Sequence, residues 1–125
     1  RDMKNTLIIA FLLLGTTVFG QSFKKEVYDN GVLIKTFEMK DNSILMTAFY
    51  PDGTIKERGT FLNGAPDGKW VTYNQRGQAV SIGYYKQGVK EGTWTIYPGM
   101  GDFTYELVYE NGIQKKAYQY GPDLD

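Results

Sequence analysis

Carboxylates recur at the glycine-rich turns of this sequence. Asp52, Asp67 and Glu91 each stand directly before a glycine. Two carboxylates on either side of a bound sugar could hydrolyse a glycosidic bond, and acids gathered in one loop could bind calcium. A catalytic pair would occur once, whereas these acids recur along the chain, and each turn holds a single carboxylate. The pattern therefore favours a role in turn formation, and we predict no catalytic residue, no metal site and no cofactor.

Other reactive groups are scarce. The sequence has no His and no Cys, which removes the commonest general base, the commonest metal ligand and all thiol chemistry. The segment 64–70 (GAPDGKW) contains the glycines and the lysine of a phosphate-binding loop. Only three residues separate its glycines, and Trp70 follows the lysine where Ser or Thr is needed. The sequence accordingly predicts a protein that is not an enzyme.

The chain repeats itself at a period of 24 residues. Clear copies cover 59–82 and 83–106, a partial copy covers 107–112, and a degenerate unit covers 35–58. In the degenerate unit, Phe37, Met46, Phe49 and Gly53 take the Phe, Trp, Tyr and Gly positions of the period. The two clear copies share seven positions: Gly59 and Gly83, Phe61 and Tyr85, Gly64 and Gly88, Gly68 and Gly92, Trp70 and Trp94, Tyr73 and Tyr97, Gly77 and Gly101. Such self-similarity is typical of repeat architectures.

The shared pattern G-x-F/Y-x-x-G-x-x-D/E-G-x-W-x-x-Y resembles the MORN repeat, in particular the bacterial variant found in tandem on short exported or cytoplasmic proteins. The resemblance covers Phe37 to Gly112 and is sharpest from Gly59 to Tyr97. It implies tandem β-hairpins, contacts with proteins and, in some members, association with membranes. Other bacterial proteins with this variant look like antitoxins or immunity proteins.

Each unit contains two short segments rich in aromatic and β-branched residues, separated by glycine-containing clusters. This spacing predicts β-hairpins, and no segment after Gln21 keeps a helical period for three turns. We therefore expect an all-β protein, a single-layer antiparallel meander over residues 21–125. Seven glycines are expected to shape its turns: Gly64, Gly68, Gly77, Gly88, Gly92, Gly101 and Gly112.

Two turn registers follow from these glycines. In the longer turns, Asn63 is expected to pair with Gly68, and Gln87 with Gly92. The tighter turns, 76–79 and 100–103, place glycine first in the centre, as type II′ requires. These registers put aromatic residues opposite one another in a single row on one face: Phe61, Trp70, Tyr85, Trp94 and Tyr109.

The aromatic row is the candidate binding site. Its opposite face is expected to carry Leu62, Val71, Tyr73, Ile82, Tyr84, Tyr97 and Val108, because side chains alternate along a strand. Neither face is purely polar, and no helix is predicted to cover either. Packing alone could explain the row; alternatively, it could bind a protein, a glycan or lipid head groups, for which Tyr and Trp are well suited.

The N-terminus has the three parts of a secretory signal peptide. A short basic start at Met3–Lys4 precedes an uncharged apolar run, Thr6 to Phe19, and small residues precede Gln21. We predict a signal peptide over 1–20, including two extra residues before Met3, with cleavage after Gly20. A retained anchor is the alternative, although fourteen residues fall short of the roughly 20 that span a bilayer. The expected location is periplasmic, secreted or envelope-associated.

The charge balance limits the possible partners. Fourteen basic residues balance fourteen acidic ones, and loss of Arg1, Asp2 and Lys4 with the leader would leave twelve and thirteen. No basic patch suits a phosphate backbone, so no nucleic-acid partner is expected. The sequence thus favours a non-enzymatic binding or scaffolding protein of the bacterial envelope. The alternative is an antitoxin or immunity protein that occludes a toxin, and the open edges of a meander also permit self-association.

Overall fold

The computed structural model describes the backbone of residues 7–13, 23–98 and 103–121, and the side chains of the last two ranges. Every regular element in these ranges is a β-strand, and all the strands belong to one antiparallel sheet. The strands are β1 (Leu7–Leu13), β2 (Phe23–Asp29), β3 (Val32–Lys40), β4 (Ser43–Phe49), β5 (Ile55–Leu62), β6 (Ala65–Tyr73), β7 (Ala79–Lys86), β8 (Val89–Lys90), β9 (Gly92–Ile96), β10 (Thr104–Glu110) and β11 (Ile113–Tyr120).

The sheet follows the order of the chain. Each strand pairs with the next along the chain, except at the two-residue β8. Both β8 and β9 pair with the same edge of β7, one after the other. Sequence-local pairing of this kind is what short hairpin units produce. The predicted all-β antiparallel meander is confirmed. No helix among the described residues has the length and hydropathy to cross a membrane.

Strand β1 lies within the segment predicted to be a signal peptide. It pairs antiparallel with β2, from Leu7 opposite Asp29 to Leu13 opposite Phe23. The predicted cleavage point at Gly20 lies outside the described residues. Removal of the leader therefore stays a prediction, and it would take β1 away from the edge of the sheet.

The predicted longer turns are wrong in register. The chain reverses over Asn63–Gly64, so that Leu62 pairs with Ala65, and over Gln87–Gly88, so that Lys86 pairs with Val89. Both central residues of the first turn have positive φ, 51° and 80°, as in a type I′ hairpin. Asn tolerates this conformation better than most residues, and glycine adopts it without strain. The Asn30–Gly31 and Asn111–Gly112 turns have the same conformation.

The tighter turn between β6 and β7 also differs from the prediction. Tyr73, rather than Arg76, pairs with Ala79. The Gly77 amide donates to the Asn74 carbonyl at 3.0 Å, and Gly77 then has φ of 79°. This is a type I turn followed by a left-handed glycine, which adds a bulge at the strand end. The 50–54 turn repeats it with Gly53 at φ 90°, whereas the predicted 100–103 turn, including Gly101, lies largely outside the described residues.

The core gathers where the degenerate unit meets the first clear repeat. Met46, Ala48 and Trp70 are buried, with Phe37, Phe61 and Tyr85 packed against them. Met46, which stands at the Trp position of its unit, is 4% exposed and pairs with Gly59. A flexible methionine side chain fills this space next to the ring of Trp70. Unit 35–58 thus supplies core residues at the positions that the 24-residue period gives it.

Candidate binding surface

Each tryptophan of the repeats lies over a glycine of the neighbouring strand. A β-carbon added at Gly59 would overlap the indole of Trp70, and one added at Gly83 would overlap the indole of Trp94. Both glycines are buried and have no positive φ, so space and not backbone conformation explains them. The indole N–H of Trp70 donates to the Thr60 carbonyl at 3.2 Å. The tryptophan and the glycine are thus a matched pair, and Trp94 reproduces the arrangement.

A bulge produces this arrangement. Thr60 pairs with Asp67 and Arg58 pairs with Val71, so one residue of β5 faces three residues of β6. The first of these three β6 residues is Gly68, which has φ of 78°. Its equivalent in the next unit, Gly92, has φ of 76°. Bulges increase local twist and redirect side chains. Here the bulge brings the tryptophan opposite the glycine of the preceding strand.

Because of the bulge, the predicted pairing of the aromatic residues is wrong, although their rings still contact one another. Trp70 pairs with Gly83 and not with Tyr85, and Phe61 pairs with Pro66 and not with Trp70. In the second copy, too, the expected partners are replaced: Tyr85 pairs with Lys90, Trp94 with Leu107, and Tyr109 with Gly92.

The five rings nonetheless form one continuous row, in the predicted order. Centroid distances from Phe61 to Tyr109 are 5.2, 5.8, 5.0 and 6.1 Å, and interplanar angles run from 72° to 87°. Edge-to-face contacts of this kind place a positive ring edge on a negative ring face. Trp70 is 8% exposed and the other four rings are half-buried. The row therefore contributes a buried ring to the core and four partly accessible rings to the surface.

A lysine that was not singled out in the sequence completes the row. Lys90 Nζ lies 4.7 Å from the ring centroid of Trp94 and 5.0 Å from that of Tyr109. Cations interact favourably with the faces of such rings. One period earlier, the equivalent position is Pro66, which carries no charge. The period places Lys90 there, but only the bulge brings it over the rings.

The row continues into an apolar hollow at its N-terminal end. Phe23, Phe37, Met39 and Ile44 line a cavity of about 200 Å³ together with Lys25. Ile44 pairs with Phe61, and Phe37 pairs with Met46, so strand pairing joins the hollow to the row. Phe23 and Met39 are each 38% exposed. We call the five ringed residues and this hollow together the aromatic face.

The opposite face is mixed. Val71 is buried and pairs with Ile82, while Tyr84 and Tyr97 are exposed. The other members of the predicted set, Leu62, Tyr73 and Val108, are half-buried. All the described elements are strands, so within the described ranges no helix covers either face.

The recurring acids link one repeat to the next. Asp67 Oδ1 accepts a hydrogen bond from the Gln87 amide at 3.0 Å, and Glu91 Oε2 accepts one from the Asn111 amide at 3.0 Å. Backbone bonds at the same turns follow the same period, with the Gly88 amide donating to Pro66 at 2.7 Å. These carboxylates thus hold the turn of the following unit, a role that agrees with their recurrence.

Asp52 does something different. Its Oδ1 accepts from the Thr54 amide at 2.9 Å and from the Thr54 hydroxyl at 2.6 Å, closing the turn within its own hairpin. The Thr54 hydroxyl, then the Thr54 amide, hold the pKa of Asp52 below its ordinary value. Within the described ranges, no three His, Cys, Asp or Glu residues come together as metal ligands would.

The repeat ends at its third copy. Leu107 stands where the period requires the glycine, its partner on β11 is Ala117, and Tyr118 takes the tryptophan position of the period. Only Lys115 is extra on β11, so the longer bulge is absent between these two strands. All eight residues of β11 are exposed, and described residues pair with it on one side alone.

Comparisons with known proteins add a distant structural likeness. The sequence matches no protein-family model and no curated protein. A crystal structure of TarM is similar over 90% of this chain, with a TM-score of 0.49 and 14% sequence identity. The similar region is 21% of the TarM chain, so this chain spans about a fifth of that protein.

Proposed function

We propose that this chain is a non-enzymatic binding or scaffolding protein of the bacterial envelope that binds a partner protein through the aromatic face. The observation that carries the proposal is the continuity of that face. It runs without interruption from the hollow beside Phe23 to Tyr109, over strands that no described element covers. Surfaces rich in Tyr, Trp, Phe and Met are typical of the centres of protein interfaces.

The exposure of the hollow supports binding as well as packing. A residue used only for packing is expected to be buried, yet Phe23 and Met39 are each 38% exposed in the part of the face lined almost wholly by apolar groups. The rings from Phe61 to Tyr109 give the same face a rigid base, since each contacts the next. Rigid aromatic groups lose little conformational freedom on binding. The resemblance to MORN repeats supports a protein partner, and the signal-like N-terminus supports an envelope location.

The test is recovery of envelope proteins by the purified chain. Phe23→Ser with Met39→Ser removes the apolar hollow while leaving the buried Trp70 in place. Tyr84→Ser with Ile113→Ser, two exposed positions away from the hollow, is the matched control. We expect the first variant to lose partners that the wild type and the control retain. Equal recovery by all three would contradict the proposal.

A second variant examines the row itself. Trp70→Ala with Trp94→Ala is expected to lose the same partners, with near-ultraviolet circular dichroism reporting how much of the fold remains. Partners that are retained by this variant and by the Phe23, Met39 variant would show that binding uses another surface.

A further inference from the structure

A second concave site lies at the end of the sheet, apart from the aromatic face. It is a cavity of about 270 Å³ between the hairpin loop 74–78 and the residues Tyr97, Phe103 and Thr104. Its lining residues are Asn74, Gln78, Ala79, Val80, Tyr97, Phe103 and Thr104. Neither the turn acids nor any ring of the aromatic row takes part in it.

The lining combines two exposed rings with uncharged polar groups. Tyr97 is 40% exposed and Phe103 is 46% exposed, which is high for side chains of their size. Gln78 and Thr104 add an amide and a hydroxyl, and none of the seven lining residues carries a charge. Small-molecule sites likewise combine aromatic and apolar side chains with placed polar groups, and here the two kinds are about equally represented.

The amides are held in position. Asn74 Oδ1 accepts from the backbone amides of Arg76 at 2.9 Å and Gln78 at 3.0 Å. Asn74 Nδ2 then donates to Gln78 Oε1 at 3.0 Å, which orients the Gln78 amide. Gln78 Nε2 has no partner within the described ranges, so its two donors remain for a ligand. Pre-set polar groups lower the entropic cost of binding.

The described lining residues carry no charge, and this distinguishes between ligand classes. A phosphate or carboxylate ligand would need a cation among these residues, and a purely apolar ligand would make no use of the Gln78 amide and the Thr104 hydroxyl. A pyranose ring meets both demands. Its C–H face can lie on an aromatic ring while its hydroxyls bond to amides and to Thr104. We propose that this cavity binds one sugar unit of a neutral glycan.

The surface beyond the cavity fits further sugar units. Thr104 pairs with Tyr120, and adjacent strands lie about 4.8 Å apart, so Tyr120 stands next to the cavity on the neighbouring strand. Its ring stacks with that of Tyr118 at 6.5 Å and 28°, and the two are 49% and 43% exposed. Phe103 lies against Gly121, where an added β-carbon would be 3.6 Å from its ring. A glycan leaving the cavity over Thr104 would thus meet two further aromatic rings.

The test is an NMR titration of the purified full chain with neutral trisaccharides, one of β-linked glucose and one of β-linked N-acetylglucosamine. A trisaccharide of galacturonic acid is the anionic comparison. We expect saturable shifts of the Gln78 and Thr104 amides with at least one neutral sugar, and weaker binding of the anionic sugar. Tyr97→Ala and Phe103→Ala should each weaken binding by about tenfold, because each removes one ring contact.

Two further variants distinguish a loss of sugar binding from a loss of folding. Tyr84→Ala removes an equally exposed tyrosine outside the site and should bind as the wild type does. Gln78→Glu keeps the size of the side chain, brings in a negative charge and removes the amide donors, and should also weaken binding of the neutral sugar. The proposal is overturned if no neutral sugar gives saturable shifts, if the galacturonic acid trisaccharide binds more tightly, if Tyr97→Ala and Phe103→Ala bind as tightly as the wild type, or if the shifts map to the aromatic row. None of these outcomes bears on recovery of protein partners by the aromatic face.

Discussion

The indole of Trp94 fills the space directly above the α-carbon of Gly83, where any other residue would place a β-carbon. Gly59 and Trp70 repeat this relationship 24 residues earlier, with the indole N–H bonded in both cases to a carbonyl on the strand of the glycine. The geometry that the two units share therefore depends on the absence of a side chain at the glycine as much as on the large side chain of the tryptophan.

This relationship predicts that Gly83→Ala destabilises the protein. The added methyl group must displace the ring of Trp94, and overpacking of this kind costs about 1–3 kcal/mol. Urea unfolding measures the change, with Gly121→Ala as control because its added methyl meets Phe103 at an ordinary 3.6 Å. A second change, Trp94→Leu, should recover part of the loss in the Gly83→Ala background. Equal stability of Gly83→Ala and the wild type would contradict the close contact.

The type I′ turns predict a stabilising change at Gln87. This residue has φ of 50° at the position that Asn63 and Asn111 hold in the other units. Asn adopts left-handed conformations more readily than Gln, so Gln87→Asn should raise the free energy of unfolding by about 0.5 kcal/mol. Asn63→Gln is the reciprocal variant and should lower it by a similar amount. Thermal unfolding of both variants measures the effect, and two changes of the same sign would contradict it.

The bond between repeats predicts a local effect of Asp67→Ala. Loss of the acceptor for the Gln87 amide should cost about 1 kcal/mol, because an intramolecular hydrogen bond contributes about that much. Hydrogen exchange by NMR should show faster exchange at the Gln87 amide, with Asp67→Asn giving a smaller effect since it keeps an acceptor oxygen. Glu57→Ala serves as the control. Unchanged protection of Gln87 in Asp67→Ala would show that this bond does not hold the turn.

The turn at Asp52 predicts a small dependence on pH. Its pKa is lowered in the folded state, so the carboxylate stabilises the fold above its unfolded pKa, and this contribution is lost as pH falls through the folded pKa. Thr54→Val removes the hydroxyl, the largest cause of the shift. An NMR titration should then show the pKa of Asp52 closer to its ordinary value. The same pKa in both proteins would mean that the hydroxyl does not bond to the carboxylate.

The period of the repeat and the members of the row could be predicted from sequence because both depend on residue identity alone. The glycines recur at a fixed offset, and the aromatic residues recur with them. The turn registers could not be chosen in the same way, since the segment 63–68 contains two glycines, and either could have closed the hairpin. Gly64 with Asn63 forms the turn, while Gly68 forms the bulge. Both need positive φ, so the residue type does not distinguish their roles.

The cavity beside Tyr97 and the position of Lys90 were not found from sequence for another reason. Each arises where strand pairing or a bulge brings together residues that no local pattern links, as with Asn74 and Thr104. Tyr97 is one of the seven positions that the two clear copies share, yet its neighbours in the cavity come from two different hairpins. Predicting such a site requires the strand pairing first.

The hydrogen bonds between successive turns have a consequence for how a chain of this design can change length. Unit 83–106 carries the acid that holds the next turn and the amide that the previous acid holds, and each of the two clear units carries its own glycine beneath its own tryptophan. A tandem duplication of 59–82 would therefore arrive with every contact already matched at both junctions. A duplication that is one residue longer or shorter would reverse the faces of every later strand. The array can thus grow in whole units, and Leu107, which stands where the two clear units have glycine, is the position at which a further unit would need to be changed.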